Sequence, residues 1–178
     1  MRRALLCIAV ILTACRGTRS PTDTRSSTET GQANATTSTT IVANAVLVRV
    51  IDGDTIDVTI DDADERVRLI GIDTPETKKP NTPIQCFGPE ASAFTHSLLP
   101  EGTALHLERD AEARDPYGRL LAYVYRVDDG LFVNMEIVVR GYARPLTIPP
   151  NINHADEFVA AARAAREANS GLWNGCTG

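Results

Sequence analysis

Between positions 46 and 60 the apolar side chains fall at every second residue, Val46, Val48 and Val50, then Ile56, Val58 and Ile60. The two runs are separated by Asp52-Gly53-Asp54. A repeat of two is that of a strand with one buried face, and a tight Asp/Gly turn between two such runs marks an antiparallel hairpin. A third strand is expected through Val67, Leu69 and Gly71 to Ile72. Gly88-Pro89-Glu90 then opens a helix with proline in its first turn and Ala91, Phe94 and Leu98 on one face, closed by Pro100-Glu101-Gly102. Two further strands are predicted over residues 104–108 and 120–125, joined through Asp115-Pro116-Tyr117-Gly118. A short helix over 134–140 stops at Gly141, and a last one over 153–169 carries Phe158, Ala162 and Ala165 at helical spacing, with Gly171 as terminator.

Three strands, a helix, two strands and then helices is the order of a five-stranded β-barrel of the OB type, an α+β fold with three helices here. The pattern permits that barrel without requiring it. OB barrels bind oligonucleotides with loops on one rim.

The start of the chain has a different character. Met1, Arg2 and Arg3 precede an apolar stretch from Ala4 to Leu12, the layout of a secretory signal over residues 1–14. That stretch is too short to span a bilayer stably, so a polytopic membrane protein is excluded. The tetrad Leu12-Thr13-Ala14-Cys15 resembles a bacterial lipobox, which implies cleavage before Cys15 and a diacylglycerol anchor on its sulfur. The implied location is the extracytoplasmic face of the cell membrane, or secretion if the lipobox is unused and Cys15 is incidental. Residues 15–43 are rich in Thr, Ser, Ala, Gly and Asn and cannot bury enough apolar surface to offset ordering entropy, so they read as a disordered tether. Its root-mean-square reach is about 30 Å. The folded domain is then 44–178.

Of the four cysteines, Cys7 leaves with the signal and Cys15 carries lipid, which leaves Cys86 and Cys176 as the available disulfide pair; two buried free thiols are the alternative. The formal charge of the chain is −5. Removal of Arg2 and Arg3 leaves sixteen basic against twenty-three acidic residues, or −7. Binding of nucleic acid through bulk positive charge is therefore excluded, and an anionic ligand needs a local device.

Four groupings supply candidates: Asp52-Gly53-Asp54-Thr55, Arg68-Leu69-Ile70-Gly71-Ile72-Asp73-Thr74-Pro75-Glu76, Phe87-Gly88-Pro89-Glu90-Ala91 and Asp115-Pro116-Tyr117-Gly118-Arg119. Taken singly, the first is a hairpin turn and the second a strand end with a turn. Arg68 and Asp73 are five apart, which strand alternation puts on opposite faces unless a bulge or bend intervenes. Together, in this order and near this spacing, the groupings resemble the thermonuclease, or staphylococcal-nuclease-like, family over about residues 45–173.

The resemblance implies a calcium-dependent, largely sequence-nonspecific nuclease that cuts DNA and RNA, single-stranded or locally melted, to 3′-phosphorylated products. It places Asp54, Arg68, Asp73, Glu76 and Arg119 around one cleft. Asp54, Asp73 and the Thr74 carbonyl would form the all-oxygen shell that Ca²⁺ prefers. Arg68 and Arg119 would bind phosphate oxygens, and Glu76 would orient or deprotonate the attacking water. Tyr117 would meet a phosphate or a base, with Lys78 and Lys79 beside the substrate. The sequence departs from the family at Asn81, Thr82 and Pro83, where lysines are common, at Pro116, where a lysine is common, and at Thr147, near a tyrosine position. Fewer basic contacts imply a shallower salt dependence of binding. The implied oligomeric state is a monomer.

The rival reading is a non-catalytic nucleic-acid or anion-binding OB lipoprotein, since a fold outlives its site. A calcium-binding envelope lipoprotein is a third, and it leaves the two arginines without a role. Asp61, Asp62, Asp64 and Glu65 read as a solvated turn, lacking the glycine and terminal glutamate of an EF-hand. His96, His106 and His154 lack metal-ligand spacing, Trp173 reads as terminal packing over the core, and no phosphate loop is present.

Overall fold

The computed structural model describes residues 41–78 and 81–176. The expected signal at 1–14, Cys15, nearly all of the tether and Lys79 lie outside the described residues. Among the described residues no helix is long and apolar enough to cross a membrane.

The hairpin forms where the alternation puts it, as β1 (Ala45–Asp52) and β2 (Thr55–Ile60), closed by Asp52 opposite Thr55. Strand β3 (Ala63–Leu69) runs antiparallel to β2. β5 (Ala104–Glu108) and β6 (Leu120–Arg126) pair with each other, β6 lies parallel to β3, and β1 meets β5 to close the barrel in the order β1-β2-β3-β6-β5. The short strand β4 (Gly71–Asp73) leaves the barrel. It pairs with β7 (Arg144–Leu146), a strand the sequence pattern does not announce.

The alternation is right for β2 and half wrong for β1. Ile56 and Val58 are fully buried, whereas Val46 and Val48 are 46% and 39% exposed, and Ala45 and Leu47 face the core in their place. The pairing of β1 with β2 shifts between Leu47 and Arg49, and this bulge reverses the side-chain phase so that Val50 turns inward again. The barrel is filled by Leu47, Ile56, Val58, Val67, Leu69, Leu105 and Val124, capped by Phe158 and Tyr123. Tyr123 donates its hydroxyl proton to Asp110.

Helix α1 (Gly88–Leu98) has Pro89 in its first turn, as expected. α2 (Val133–Val139) and α3 (Ala155–Glu167) match the two later predicted helices, α3 beginning two residues after its expected start and ending two before its expected end. Among the described residues the expected three helices are corrected to four by the single turn α4 (Leu172–Gly175). The expected terminator Gly171 is corrected: α3 is closed two residues earlier by Asn169 at φ +51, with the Ser170 N–H donating to the Ala165 carbonyl, and Gly171 instead caps the start of α4. The acidic run divides: Asp61 and Asp62 form the turn, both at positive φ, while Asp64 and Glu65 belong to β3. Cys86 and Cys176 form the expected disulfide.

Candidate active site

The third predicted strand is in fact two strands, and that break builds the site. β3 ends at Leu69, the chain turns at Ile70, and Gly71 opens β4 with φ +81. A β-carbon on Gly71 would lie 2.2 Å from the Phe158 ring, so the turn needs glycine for both its backbone angle and its room. This bend brings Asp73 back to Arg68, whose Nη2 stands 3.3 Å from Asp73 Oδ1 and 3.1 Å from Asp54 Oδ2. Arg68 is further fixed by donating from Nη1 to the carbonyls of Ile72, at 2.9 Å, and Leu69.

Asp54 sits in the hairpin turn and is almost fully buried. Its Oδ2 accepts from the Thr74 N–H at 2.9 Å and the Thr74 hydroxyl at 3.0 Å, and its Oδ1 accepts from the Thr55 hydroxyl at 3.2 Å. The turn fits closely against Thr74, since a β-carbon on Gly53 would come within 2.6 Å of the Thr74 hydroxyl oxygen. From the other side, α1 holds the turn through the Thr95 hydroxyl, which donates to the Gly53 carbonyl at 2.8 Å. Thr74 is thus the residue that positions Asp54.

The carboxylates crowd one another. Burial and the neighbouring Asp54 push the Asp73 carboxyl above its ordinary value, with Glu76 adding to the effect and Arg68 and Arg144 opposing it. Asp52 is raised in the same way, by burial first and then by Asp54. Sequence reasoning did not single out Asp52 as a site residue, although it is the first acid of Asp-Gly-Asp.

Glu76 opens the loop that follows β4. Its Oε1 accepts the N–H groups of Thr77 and Lys78 at 2.8 and 2.7 Å. The Glu76 N–H donates to Gln85 Oε1, a partner for which the sequence carries no signal. Arg119 is aimed from the β5–β6 connection: its Nε donates to Asp115 Oδ2 at 2.7 Å, while Asp115 Oδ1 accepts the N–H groups of Tyr117 and Arg119. The Arg119 guanidinium lies over the Tyr117 ring at 5.6 Å, and Tyr117 is 86% exposed.

These groups share one open cleft of about 700 Å³, lined by Asp54, Arg68, Asp73, Thr74, Glu76, Lys78, Tyr117 and Arg119, together with Asp52 and Gln85. Every predicted catalytic and metal residue is there, and Lys79 lies outside the described residues. Beside it, Pro116, Leu146 and Ile148 line an apolar pocket of about 290 Å³; Thr147 is exposed in the segment between the last two. The three histidines stand elsewhere: His96 is exposed on α1, His106 bonds the Val42 carbonyl and His154 packs edge-on against Tyr123. The guanidiniums of Arg144 and Arg166 lie over the Trp173 ring, 5.5 and 5.2 Å from its centroid.

The donor set offers hard oxygen ligands, the chemistry that suits calcium or magnesium rather than a soft metal. Among the described residues no group of three or more acids, histidines or cysteines is tight enough to hold a metal by itself. Asp54 and Asp73 together with backbone oxygen and water fit a partly hydrated hard cation; burial first and the neighbouring Asp54 second raise Asp52 and Asp73, and such a charge would offset both effects.

Comparison with known proteins gives a consistent result. The family described as Staphylococcal nuclease homologue matches residues 66–175. The chain is 44% identical over 137 residues to a thermonuclease of Staphylococcus intermedius, covering 76% of this chain and 80% of that protein. It is 40% identical over 128 residues to a thermonuclease of Staphylococcus hyicus, covering 72% and 74%. It is also 40% identical over 135 residues to Endonuclease YncB of Bacillus subtilis, covering 75% and 63%.

Proposed function

The chain belongs to the staphylococcal nuclease homologue family, and from that premise we propose that it hydrolyses phosphodiester bonds of DNA and RNA in a calcium-dependent reaction with little sequence preference. The observation that carries this reading is the single cleft holding Asp54, Arg68, Asp73, Glu76 and Arg119. A non-catalytic binding module has no use for crowded carboxylates beside two guanidiniums.

Arg68 and Arg119 bind the oxygens of the attacked phosphate and stabilise the charge that builds there. Each is already aimed by a carboxylate, Arg119 by Asp115 and Arg68 by Asp54 and Asp73, so little reorganisation is needed when the substrate arrives. Glu76 accepts the proton of the attacking water; the two backbone N–H groups on its Oε1 hold the carboxylate in place. The bond to the 5′ oxygen breaks, leaving a 3′-phosphate and a 5′-hydroxyl whose oxygen takes up a proton from solvent. Asp54, Asp73 and the Thr74 carbonyl would hold the calcium ion, which when bound polarises the phosphate and neutralises its charge. Lys78 and Lys79 offset substrate charge, and Tyr117 supports a nucleotide by stacking or a hydrogen bond. The Cys86–Cys176 disulfide supports an oxidising compartment, in keeping with export and anchoring through Cys15.

The test is hydrolysis of single-stranded DNA by the purified protein, with calcium and with chelator, beside Glu76→Gln. Calcium-dependent cutting that falls about 100-fold or more in the variant is expected. Binding of DNA without cutting by the wild type would instead favour the OB binding module.

A further inference from the structure

The outer face of β3 continues past the cleft. Val67 and Leu69 point into the barrel, so Arg68, Arg66 and Asp64 form successive outward positions. The cleft is built on the row Asp52, Thr55 and Arg68, which are cross-strand partners on β1, β2 and β3. The next outward row is Arg49, Asp57 and Arg66, again partners across the same strands. Two residues of strand advance by about 6.6 Å. That is comparable with the step between neighbouring phosphates of an extended nucleic acid strand.

In this second row two guanidiniums share one carboxylate. Arg66 donates to Asp57 Oδ1 at 2.8 Å and Oδ2 at 3.1 Å, and Arg49 donates to Oδ2 at 2.9 Å. The row therefore carries a net positive charge in a chain whose formal charge is −5. Asp57 is 14% exposed while Arg49 and Arg66 are 58% and 48% exposed, so the acid is covered and the cations face solvent. Exposed pairs of this kind contribute little to stability. Two further acids line this wall: Glu65, engaged by Arg114 at 2.7 Å, and Asp64, which accepts the Thr59 hydroxyl at 3.3 Å.

The row lines a groove of about 730 Å³ that also includes Tyr117 and Arg119, residues of the cleft itself. Tyr117 stands on the border of the two with its ring exposed, where a base bridging them would stack. Asp64 occupies the following outward position on β3 and is exposed, so an anion advancing another step meets a negative charge.

We propose that Arg66 and Arg49 form a second phosphate-binding step, continuous with the cleft, that holds one further phosphate of a single-stranded substrate and ends at Asp64. The proposal rests on the nuclease reading. It makes the substrate an oligonucleotide that spans more than the bond being cut, with one additional contact rather than a long basic track.

The experiment is a length series of oligodeoxynucleotides: a dinucleotide, trinucleotides extended on either side of the cut, and tetranucleotides extended twice on one side. Both KM for cleavage and binding by fluorescence anisotropy are measured. For the wild type, one extension on one side lowers KM about tenfold, the worth of one charge-assisted contact, and a second on that side adds nothing. The double variant Arg49→Gln/Arg66→Gln loses the gain, and its salt slope on the longer substrates is shallower by about 0.7 per lost phosphate contact. Arg49→Lys/Arg66→Lys keeps part of the gain, and Asp64→Asn lets the second extension tighten binding. Circular dichroism and thermal melting confirm that each variant is folded. The proposal is overturned if wild-type KM and binding are independent of length, or if the glutamine variant keeps the length gain. It also fails if that variant weakens the dinucleotide as much as the trinucleotide. A wild type that binds the series with the expected gain but cuts none of it overturns the nuclease reading and leaves the second step supported.

Discussion

Glu76 and Gln85 are bonded to each other twice across the loop that separates them. The Glu76 N–H donates to Gln85 Oε1 at 3.0 Å, and the Gln85 N–H donates to the Glu76 carbonyl at 3.0 Å. The next residue, Cys86, is joined to Cys176 in the C-terminal turn. The backbone beneath Glu76 is therefore held by contacts outside the loop, even though the intervening segment runs through solvent-exposed residues such as Asn81 and Ile84.

Removing the side-chain half of that closure tests its purpose. Gln85→Ala is expected to lower kcat about tenfold through a loosened Glu76, with KM within about twofold, since misplacing a catalytic group acts mainly on the chemical step. Gln85→Glu keeps the acceptor oxygen and recovers most of the rate. Steady-state kinetics on single-stranded DNA at a temperature well below unfolding reads both.

Gly71→Ala attacks the bend between β3 and β4. The new methyl would meet the Phe158 ring at 2.2 Å on a backbone with φ +81. A loss of about 2–3 kcal/mol in a urea titration is expected, combining overpacking with the backbone penalty. Activity of the folded fraction falls as well, because the same bend carries Asp73 to Arg68.

Neutralising one crowded acid should separate stability from function. The Asp73 carboxyl is raised by burial and by Asp54, so its ionised form costs folding stability. That cost is fully present above the raised value and disappears as pH falls toward the ordinary 3.8. Asp73→Asn is expected to raise the thermal midpoint in chelator at neutral pH and to abolish the further rise that calcium gives the wild type. Melting curves with and without calcium check both.

Asp57 shows the opposite sign. Hydrogen bonds from Arg66, and then from Arg49, hold its carboxyl below the ordinary 3.8. The associated stability is present above 3.8 and is lost as pH falls through the lower folded value. Asp57→Asn should be less stable than wild type by only about 0.5 kcal/mol near neutral pH, and the two should converge in acid. Urea midpoints measured across that range give the difference directly.

Much of this molecule was legible before any coordinates. Alternating apolar residues on either side of Asp52-Gly53-Asp54 specified a hairpin, Pro89 marked the start of a helix, and cysteine arithmetic left Cys86 and Cys176 as the pair. The motif set pointed to Asp54, Arg68, Asp73, Glu76 and Arg119, and all five line one cleft. These signals are readable because periodicity, capping and turn chemistry act over a few residues.

Tertiary structure decided what depends on register and long-range contact. A bulge near Leu47 turns Val46 and Val48 outward against the simple alternation. Arg68 and Asp73 meet because β4 leaves the barrel to pair with β7, more than seventy positions away. Gln85, which carries no signal in the sequence, and the side chain of Thr74, expected only to offer its carbonyl, hold Glu76 and Asp54 because closing the barrel and docking α1 bring them within hydrogen-bond reach. Local chemistry thus selects the elements and supplies the reactive groups. Their convergence is a property of the closed barrel, in which each strand's register is set by partners distant in the chain.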